Sequence, residues 1–485
     1  MKLADKALLH NQCYLNGHWV SGTGQTLSVK NPATGAVLGS VPALEPTVVQ
    51  DTIANAVTAF EKWKAFTAEK RGDFLYQWYR LMLDNREDLA QIMTAEQGKP
   101  LAESRGEIDY AASYVKWFAE EARRAYGDTI PAASKGQHII VIPQPVGVCA
   151  AVTPWNFPAA MITRKAAAAL AAGCTMVVKP SGLTPFSALA LAHLVHEAGI
   201  PAGVFNVVTG DSAAIAEAFC TSRHIKKLSF TGSTAVGRKL MAQCAPNLQK
   251  LSLELGGNAP FLVFDDADVD RAVKGALAAK FRNTGQTCIC PNRFLVQAGI
   301  HDTFVAALGK AVAALKVGDG TDEEVKQCSL INNKALEKVQ RHYDDALAKG
   351  ACVTQGERPG VLPHNRVAPV ILTGVKPDMQ LWHEETFGPL AAVAQFDTEQ
   401  EGLDLANDTP YGLAAYFFTG DADRIWRVGE ALKAGMVGIN EGAISNAAAP
   451  FGGVDQSGFG REGSRYGMSE YQQLKYLCFA EASEG

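Results

Sequence analysis

Between residues 148 and 255 short apolar runs alternate with stretches rich in alanine and leucine. The runs are Cys149–Val152, Met176–Val178, Val204–Val208 and Leu228–Phe230. Strands alternating with helices in this way build a parallel sheet covered by helices on both faces. A second alternating series starts near Phe261–Phe264 and continues through Phe294–Val296 to Val437–Ile439. The 485 residues are too many for one ordinary domain, so the expectation is an α/β chain of two units with a boundary near Leu255–Gly257.

The segment before the first series reads as helical. Val49, Ile53, Ala56, Val57 and Phe60 share one face, as do Leu75, Trp78, Tyr79 and Met82. Residues 137–148 change character: His138-Ile-Ile-Val-Ile-Pro143-Gln-Pro-Val-Gly147 reads as an extended strand with turn residues. Tyr471–Phe479 is too apolar for a loose tail and should pack against something, such as a second subunit. The net charge is −5 with both signs interspersed, which speaks against nucleic acid as a partner. The start, Met1-Lys-Leu-Ala-Asp-Lys6, carries an early acid and no apolar core, unlike a secretory signal. The most apolar window, Lys165 to Lys179, is shorter than the roughly 20 residues a bilayer span needs. The expectation is a cytoplasmic protein with no membrane partner. Ten cysteines are mostly far apart, with no CxxC or histidine spacing for a metal, so no metal is expected.

Five segments carry chemistry. Phe281-Arg-Asn-Thr-Gly-Gln-Thr-Cys288-Ile-Cys290 places a cysteine after a Gly-Gln turn that can expose it. Leu253-Glu254-Leu255-Gly256-Gly257 sets a carboxylate in an apolar stretch ending in two glycines. Alone, the first is more often a buried thiol and the second an ion-pair residue. Together they supply a thiolate nucleophile and a base to drive water onto its thioester. Thr153-Pro154-Trp155-Asn156-Phe157-Pro158 clamps an asparagine after a strand, either as a rigid turn or as an amide donor for an oxyanion. Val178-Lys179-Pro180-Ser181-Gly182 ends a strand in lysine, where doubly wound sheets bind ligands. Phe230-Thr231-Gly232-Ser233-Thr234 is a strand–turn–helix start whose N–H groups can hold a phosphate.

These segments in this order resemble the aldehyde dehydrogenase superfamily, as do Glu385-Thr386-Phe387-Gly388-Pro389 and Pro450-Phe451-Gly452-Gly453. The likeness covers about residues 14–480. It implies a Rossmann-type cofactor domain (1–123 and 148–255), an α/β catalytic domain (256–455) and a small β oligomerisation arm (124–147 and 456–485), assembled as a homodimer or homotetramer. It implies Cys288 as nucleophile, Glu254 as general base, and Asn156 with the Cys288 N–H as oxyanion hole. Trp155, Lys179, Ser181, Gly182, Gly232, Ser233, Leu255, Glu385 and Phe387 would bind the cofactor.

Within the family the likeness is to members that oxidise succinate semialdehyde, on three residues. Arg164, Arg282 and Ser445 stand where such members hold the substrate's far carboxylate. A guanidinium suits that task through paired charge-assisted hydrogen bonds, and two arginines should favour the Cys288 thiolate. Glutarate semialdehyde, one methylene longer, is the alternative substrate. Relatives that prefer NAD often carry Glu at the position of Gly182. Its absence beside Lys179 points to NADP, with NAD as the other choice. Cys290 is a candidate redox partner for Cys288. Two rival classes remain: an enzyme that passes its thioester to coenzyme A, against which Glu254 argues, and a binding protein that kept the fold without catalysis.

Overall fold

The computed structural model describes residues 1–22 and 24–481. Its first sheet has eight strands. Five run parallel: Val148–Val152, Thr175–Lys179, Phe205–Val207, Ile225–Thr231 and Lys250–Glu254. Numbered in chain order, they lie side by side as three, two, one, four, five. The order reverses between Val148–Val152 and Ile225–Thr231. The crevice at their carboxyl ends is where doubly wound sheets bind ligands.

Helices Ala160–Ala172, Pro185–Glu197, Ser212–Thr221 and Thr234–Cys244 connect the five strands. Successive side chains of a strand point to opposite faces. Val148, Ala150, Val177 and Leu228 therefore pack into one apolar layer, and Cys149, Ala151, Met176 and Val178 into the other. The helical faces read from the sequence close these layers: Ile53 and Ala56 on one side, Leu75, Trp78 and Met82 on the other.

Lys250–Glu254 leads after four residues into Ala259–Val263, the first strand of the second sheet. That sheet has seven strands. Six are parallel: Ala259–Val263, Pro291–Gln297, Val370–Thr373, Leu390–Phe396, Ala414–Phe418 and Met436–Ile439. The short crossing joins the carboxyl edge of the first sheet to the amino edge of the second. Residues just before Pro291 and just before Leu390 are thus brought to the crevice.

The structure departs from the sequence reading in two places. The N-terminal segment is not helical from the outset. Cys13–Leu15 and His18–Val20 form a hairpin on the edge of the first sheet, and Thr26–Lys30 pairs with Val37–Pro42. The hairpin turns on Asn16-Gly17, both at positive φ, a pair favoured where a two-residue loop needs that backbone. Second, Gly458–Phe459, assigned to the arm, pairs antiparallel with Lys250–Glu254 at the far edge of the first sheet. The remaining arm strands, Asp128–Ile130, Gln137–Pro145 and Gln472–Ala480, form a separate three-stranded sheet. Residues 482–485 of the expected arm lie outside the described residues. No helix among the described residues is long and apolar enough to cross a membrane.

Candidate active site

A cavity of about 280 Å³ opens between the two sheets. Its wall carries Cys288, Asn156, Trp155, Gly232, Ser233, Leu255, Glu385 and Phe387, residues far apart in sequence. The strand order explains the meeting. Trp155 and Asn156 follow Val148–Val152, Gly232 and Ser233 follow Ile225–Thr231, and Leu255 follows Lys250–Glu254. Cys288, Glu385 and Phe387 arrive from the amino edge of the second sheet.

The loop carrying Cys288 is held in a conformation that few residues adopt freely. Asn283 and Thr284 are both left-handed (φ 51° and 55°), as is Gly285, a run that costs free energy unless neighbours enforce it. Neighbours do. Asn283 Nδ2 donates to the Asn156 carbonyl at 2.9 Å, and its backbone N–H donates to Glu103 at 2.7 Å. Gln286 Nε2 donates to the Asn283 carbonyl at 3.1 Å. The Asn156 amide donates to the Gln286 carbonyl at 3.0 Å. The Cys288 backbone N–H makes no hydrogen bond to the described residues and is free as a donor.

The Cys288 thiol is pushed up to about 12, first by burial. Arg164 and Arg282 pull it down while Glu385 and Glu254 push it up. Both arginines act toward the thiolate, as the sequence reading expects, but burial is the larger effect and the thiol is raised on balance. Both Glu254 carboxylate oxygens are buried without hydrogen-bond partners. Burial, then Glu462, hold its carboxyl well above the usual range, against the pull of Arg164 and Lys165. Burial thus disfavours charge on both groups, and each exchanges its proton at a pKa above its ordinary value.

Glu385 accepts from the Gly257 N–H at 3.2 Å. Burial raises it to about 7, opposed by Lys338. Phe387 is left-handed at φ 57° and meets the Trp155 ring edge-on at 5.6 Å. Ser233 caps helix Thr234–Cys244, whose first N–H groups face the crevice. Lys179, Ser181 and Gly182 stand outside the cavity wall at the end of the neighbouring strand. Lys179 donates to Ser212 Oγ at 2.5 Å, and burial lowers its ammonium to about 8. A Cβ on Gly182 would touch only Leu27, at 3.6 Å. Crowding is therefore not why that position is glycine.

The three residues expected to grip a carboxylate also lie off the cavity wall. Arg164 is buried in helix Ala160–Ala172, ion-paired with Glu462 and stacked on the Phe451 ring at 4.5 Å. Its Nη2 is buried without a partner. Arg282 lies over the Phe157 ring at 4.9 Å. Ser445 is partly exposed in the loop after Met436–Ile439. Cys290 is buried with its sulfur turned to the Lys280 and Pro291 carbonyls rather than to Cys288. Among the described residues no cluster of three or more His, Cys, Asp or Glu could hold a metal ion.

Sequence reasoning missed Met161, Thr231, Lys338 and Thr386 on the cavity wall. It also missed Gln97, Lys99, Glu103 and Glu107 behind the catalytic loop. Thr231 and Thr386 lie within segments the sequence singles out, while Met161 and Lys338 carry no pattern of their own. Gly98-Lys99-Pro100, between two helices, was a visible signal.

The aldehyde dehydrogenase family model matches residues 19–477. The chain is 53% identical over 481 residues to a glutarate-semialdehyde dehydrogenase of Pseudomonas putida, covering 99% of this chain and 100% of that protein. It is 54% identical to the NADP(+) succinate-semialdehyde dehydrogenase of Escherichia coli, covering 99% of each. A crystal structure of an aldehyde dehydrogenase from Brucella melitensis biovar abortus superposes with a TM-score of 0.98 at 55% identity, covering 99% of this chain and 100% of that one. With Cys288, Asn156 and Glu385 on one cavity and Glu254 buried off its wall, and with a family match over nearly its whole length, this chain belongs to the aldehyde dehydrogenase family.

Proposed function

We propose that the chain oxidises a short aldehyde with a carboxylate at its far end, succinate semialdehyde to succinate, with NADP as acceptor. The observation that carries the substrate is the pair of guanidiniums of Arg164 and Arg282, packed on the Phe451 and Phe157 rings off the cavity wall. Arg164 offers a buried, unpartnered Nη2, which a substrate carboxylate can satisfy. Arg282 supplies a second guanidinium, and Ser445 a hydroxyl. Glutarate semialdehyde is the second reading, favoured by the Pseudomonas putida relative. One methylene is worth only about 1–3 kcal/mol of discrimination, so a site of this kind accepts both.

The cavity fits a dinucleotide by its donor set. The N-terminus of helix Thr234–Cys244, with Gly232 and Ser233, suits the pyrophosphate. Lys179 and Ser181 suit the adenosine ribose. Glu385 and Phe387, with Trp155 and Leu255, suit the nicotinamide half. The missing carboxylate at Gly182 leaves a 2′-phosphate without a like charge, which favours NADP over NAD. The cofactor, when bound, accepts the hydride. Cys288 passes its thiol proton to solvent water and adds through sulfur to the aldehyde carbon, and Asn156 Nδ2 with the Cys288 N–H steadies the oxyanion. Once loss of the hydride has left a thioester, Glu254 in its ionised form takes a proton from water, the resulting hydroxide adds to the thioester carbon, and the C–S bond breaks to release the acid and the Cys288 thiolate.

The test is NADPH formation with succinate semialdehyde, glutarate semialdehyde and butanal, each repeated with NAD. Arg164→Ala and Arg282→Ala should each raise KM for the semialdehydes about 10- to 100-fold more than for butanal, the loss of one charged hydrogen-bond partner. Equal losses on all three aldehydes would leave the arginines a structural role only. The arm strand Gln472–Ala480 serves, on this reading, as the docking surface for a second copy.

A further inference from the structure

We propose that Lys99 is a positioning residue for the reaction, a buried strut that fixes the Asn156 backbone and, through the Phe157 ring, the Arg282 guanidinium. The inference rests on the reading above, in which Asn156 and Arg282 face the substrate.

Lys99 follows Gly98, the left-handed end of helix Arg86–Gln97, and its side chain is 1% exposed. The ammonium donates to Glu107 Oε2 at 2.5 Å and to the Asn156 carbonyl at 2.7 Å. It also lies 4.1 Å from the centroid of the Phe157 ring, the ring on which Arg282 stacks. The other Glu107 oxygen accepts from the N–H groups of Ala159 and Ala160, at 2.9 and 3.2 Å. One ion pair thus holds both the turn that carries Asn156 and the start of the helix behind it.

The catalytic loop is tied to the same point. The Asn156 carbonyl takes a second hydrogen bond from Asn283 Nδ2 at 2.9 Å. Gln97 Nε2 donates to Asn283 Oδ1 at 3.0 Å, and Glu103 accepts the Asn283 N–H. Two donors on one carbonyl fix the peptide plane between Asn156 and Phe157. That plane sets where the Asn156 amide points and how the Phe157 ring lies under Arg282. A buried ion pair is a weak source of stability, because desolvation offsets the attraction, and neutral replacements are often tolerated. Orientation is the property such replacements lose.

The experiment compares wild type with Lys99→Met/Glu107→Gln, which removes both members of the ion pair and leaves Glu107's position an acceptor for Ala159 and Ala160. First-turnover NADPH formation is measured with succinate semialdehyde and with butanal, beside NADP Kd and Tm. The expected result is a first-turnover rate about 10- to 100-fold lower, a larger fall for the semialdehyde than for butanal, and unchanged Kd. A rate within twofold of wild type for both aldehydes overturns the strut. Lys99→Arg keeps the charge opposite Glu107 but not the compact ammonium. It is measured in parallel and decides the matter by the same criterion if the double variant does not fold. Asn156→Ala and Arg282→Ala separate the two levels. If they behave as wild type, the underlying reading fails. If they are impaired and the Lys99 variants are not, the strut alone fails.

Discussion

Both Glu254 carboxylate oxygens are buried without hydrogen-bond partners, and burial raises the carboxyl well above the usual range. The general-base role proposed for Glu254 requires the carboxylate, so thioester hydrolysis should speed up as pH rises through its raised pKa, above the ordinary range for Glu. The sign for stability is opposite. The folded chain holds a proton at Glu254 where the unfolded chain has lost it, so stability falls as pH climbs between the unfolded and folded pKa values. Glu254→Gln should show one burst of NADPH and then stall, and should lose both pH dependences. Stopped-flow mixing across a pH series, with thermal unfolding at the same pH values, checks this. Steady turnover at the wild-type rate would make Glu254 structural. Cys288→Ala should give no burst at all while still binding NADP, since among the described residues no other cysteine lies on the cavity wall.

Beside the nucleophile, the loop Arg282–Gly285 holds three consecutive left-handed residues, Asn283, Thr284 and Gly285. Gly285 sits at φ +76°, and a Cβ there would come within 2.3 Å of the Gly388 carbonyl oxygen. Gly285→Ala should therefore cost more than about 1 kcal/mol, the scale of a side chain forced into an incompatible backbone. It should also slow the first turnover, because the loop cannot shift without moving Cys288. Chemical unfolding and burst kinetics on the same preparation test the two effects, and wild-type values in both would mean the loop is not constrained. This strain shows where sequence reading stops. The Gly-Gln-Thr-Cys288 order was legible because each residue type has a chemical use. Left-handed Asn283 and Thr284 were not, because only tertiary hydrogen bonds from Gln97, Glu103 and Asn156 enforce them. The parallel strands were legible because continuous apolar runs mark strands covered on both faces. The hairpin at Asn16-Gly17 was missed because its strands are three residues each, too short for a period to register.

At the scale of the molecule, the order of strands in the first sheet brings the catalytic residues together, and no local pattern encodes that order. The sequence separated two α/β units and put their boundary at Leu255–Gly257. It drew the C-terminal arm too wide, since Gly458–Phe459 completes the edge of the first sheet. What remains of the arm has an unusual surface. Gln472–Ala480 pairs along its whole length with Gln137–Pro145 on one side and, among the described residues, has no strand on the other. Leu474 is 74% and Tyr476 61% exposed, on the same face of the strand, with Leu477 and Phe479 exposed on the other. An open strand edge with apolar residues on both faces is a template for association. A second copy can cover it by symmetry, so that the same residues meet from both sides. Leu474→Lys with Tyr476→Lys should put like charges into that contact. Sedimentation velocity should then show a smaller species than the wild type, with the first-turnover rate preserved in whichever form remains folded. The contacts that hold the cavity lie within one chain, from Lys99 to Gly285, so separation of the copies should spare the chemistry and lower Tm. If wild type and variant sediment alike, the arm is covered by something other than a second copy of this chain.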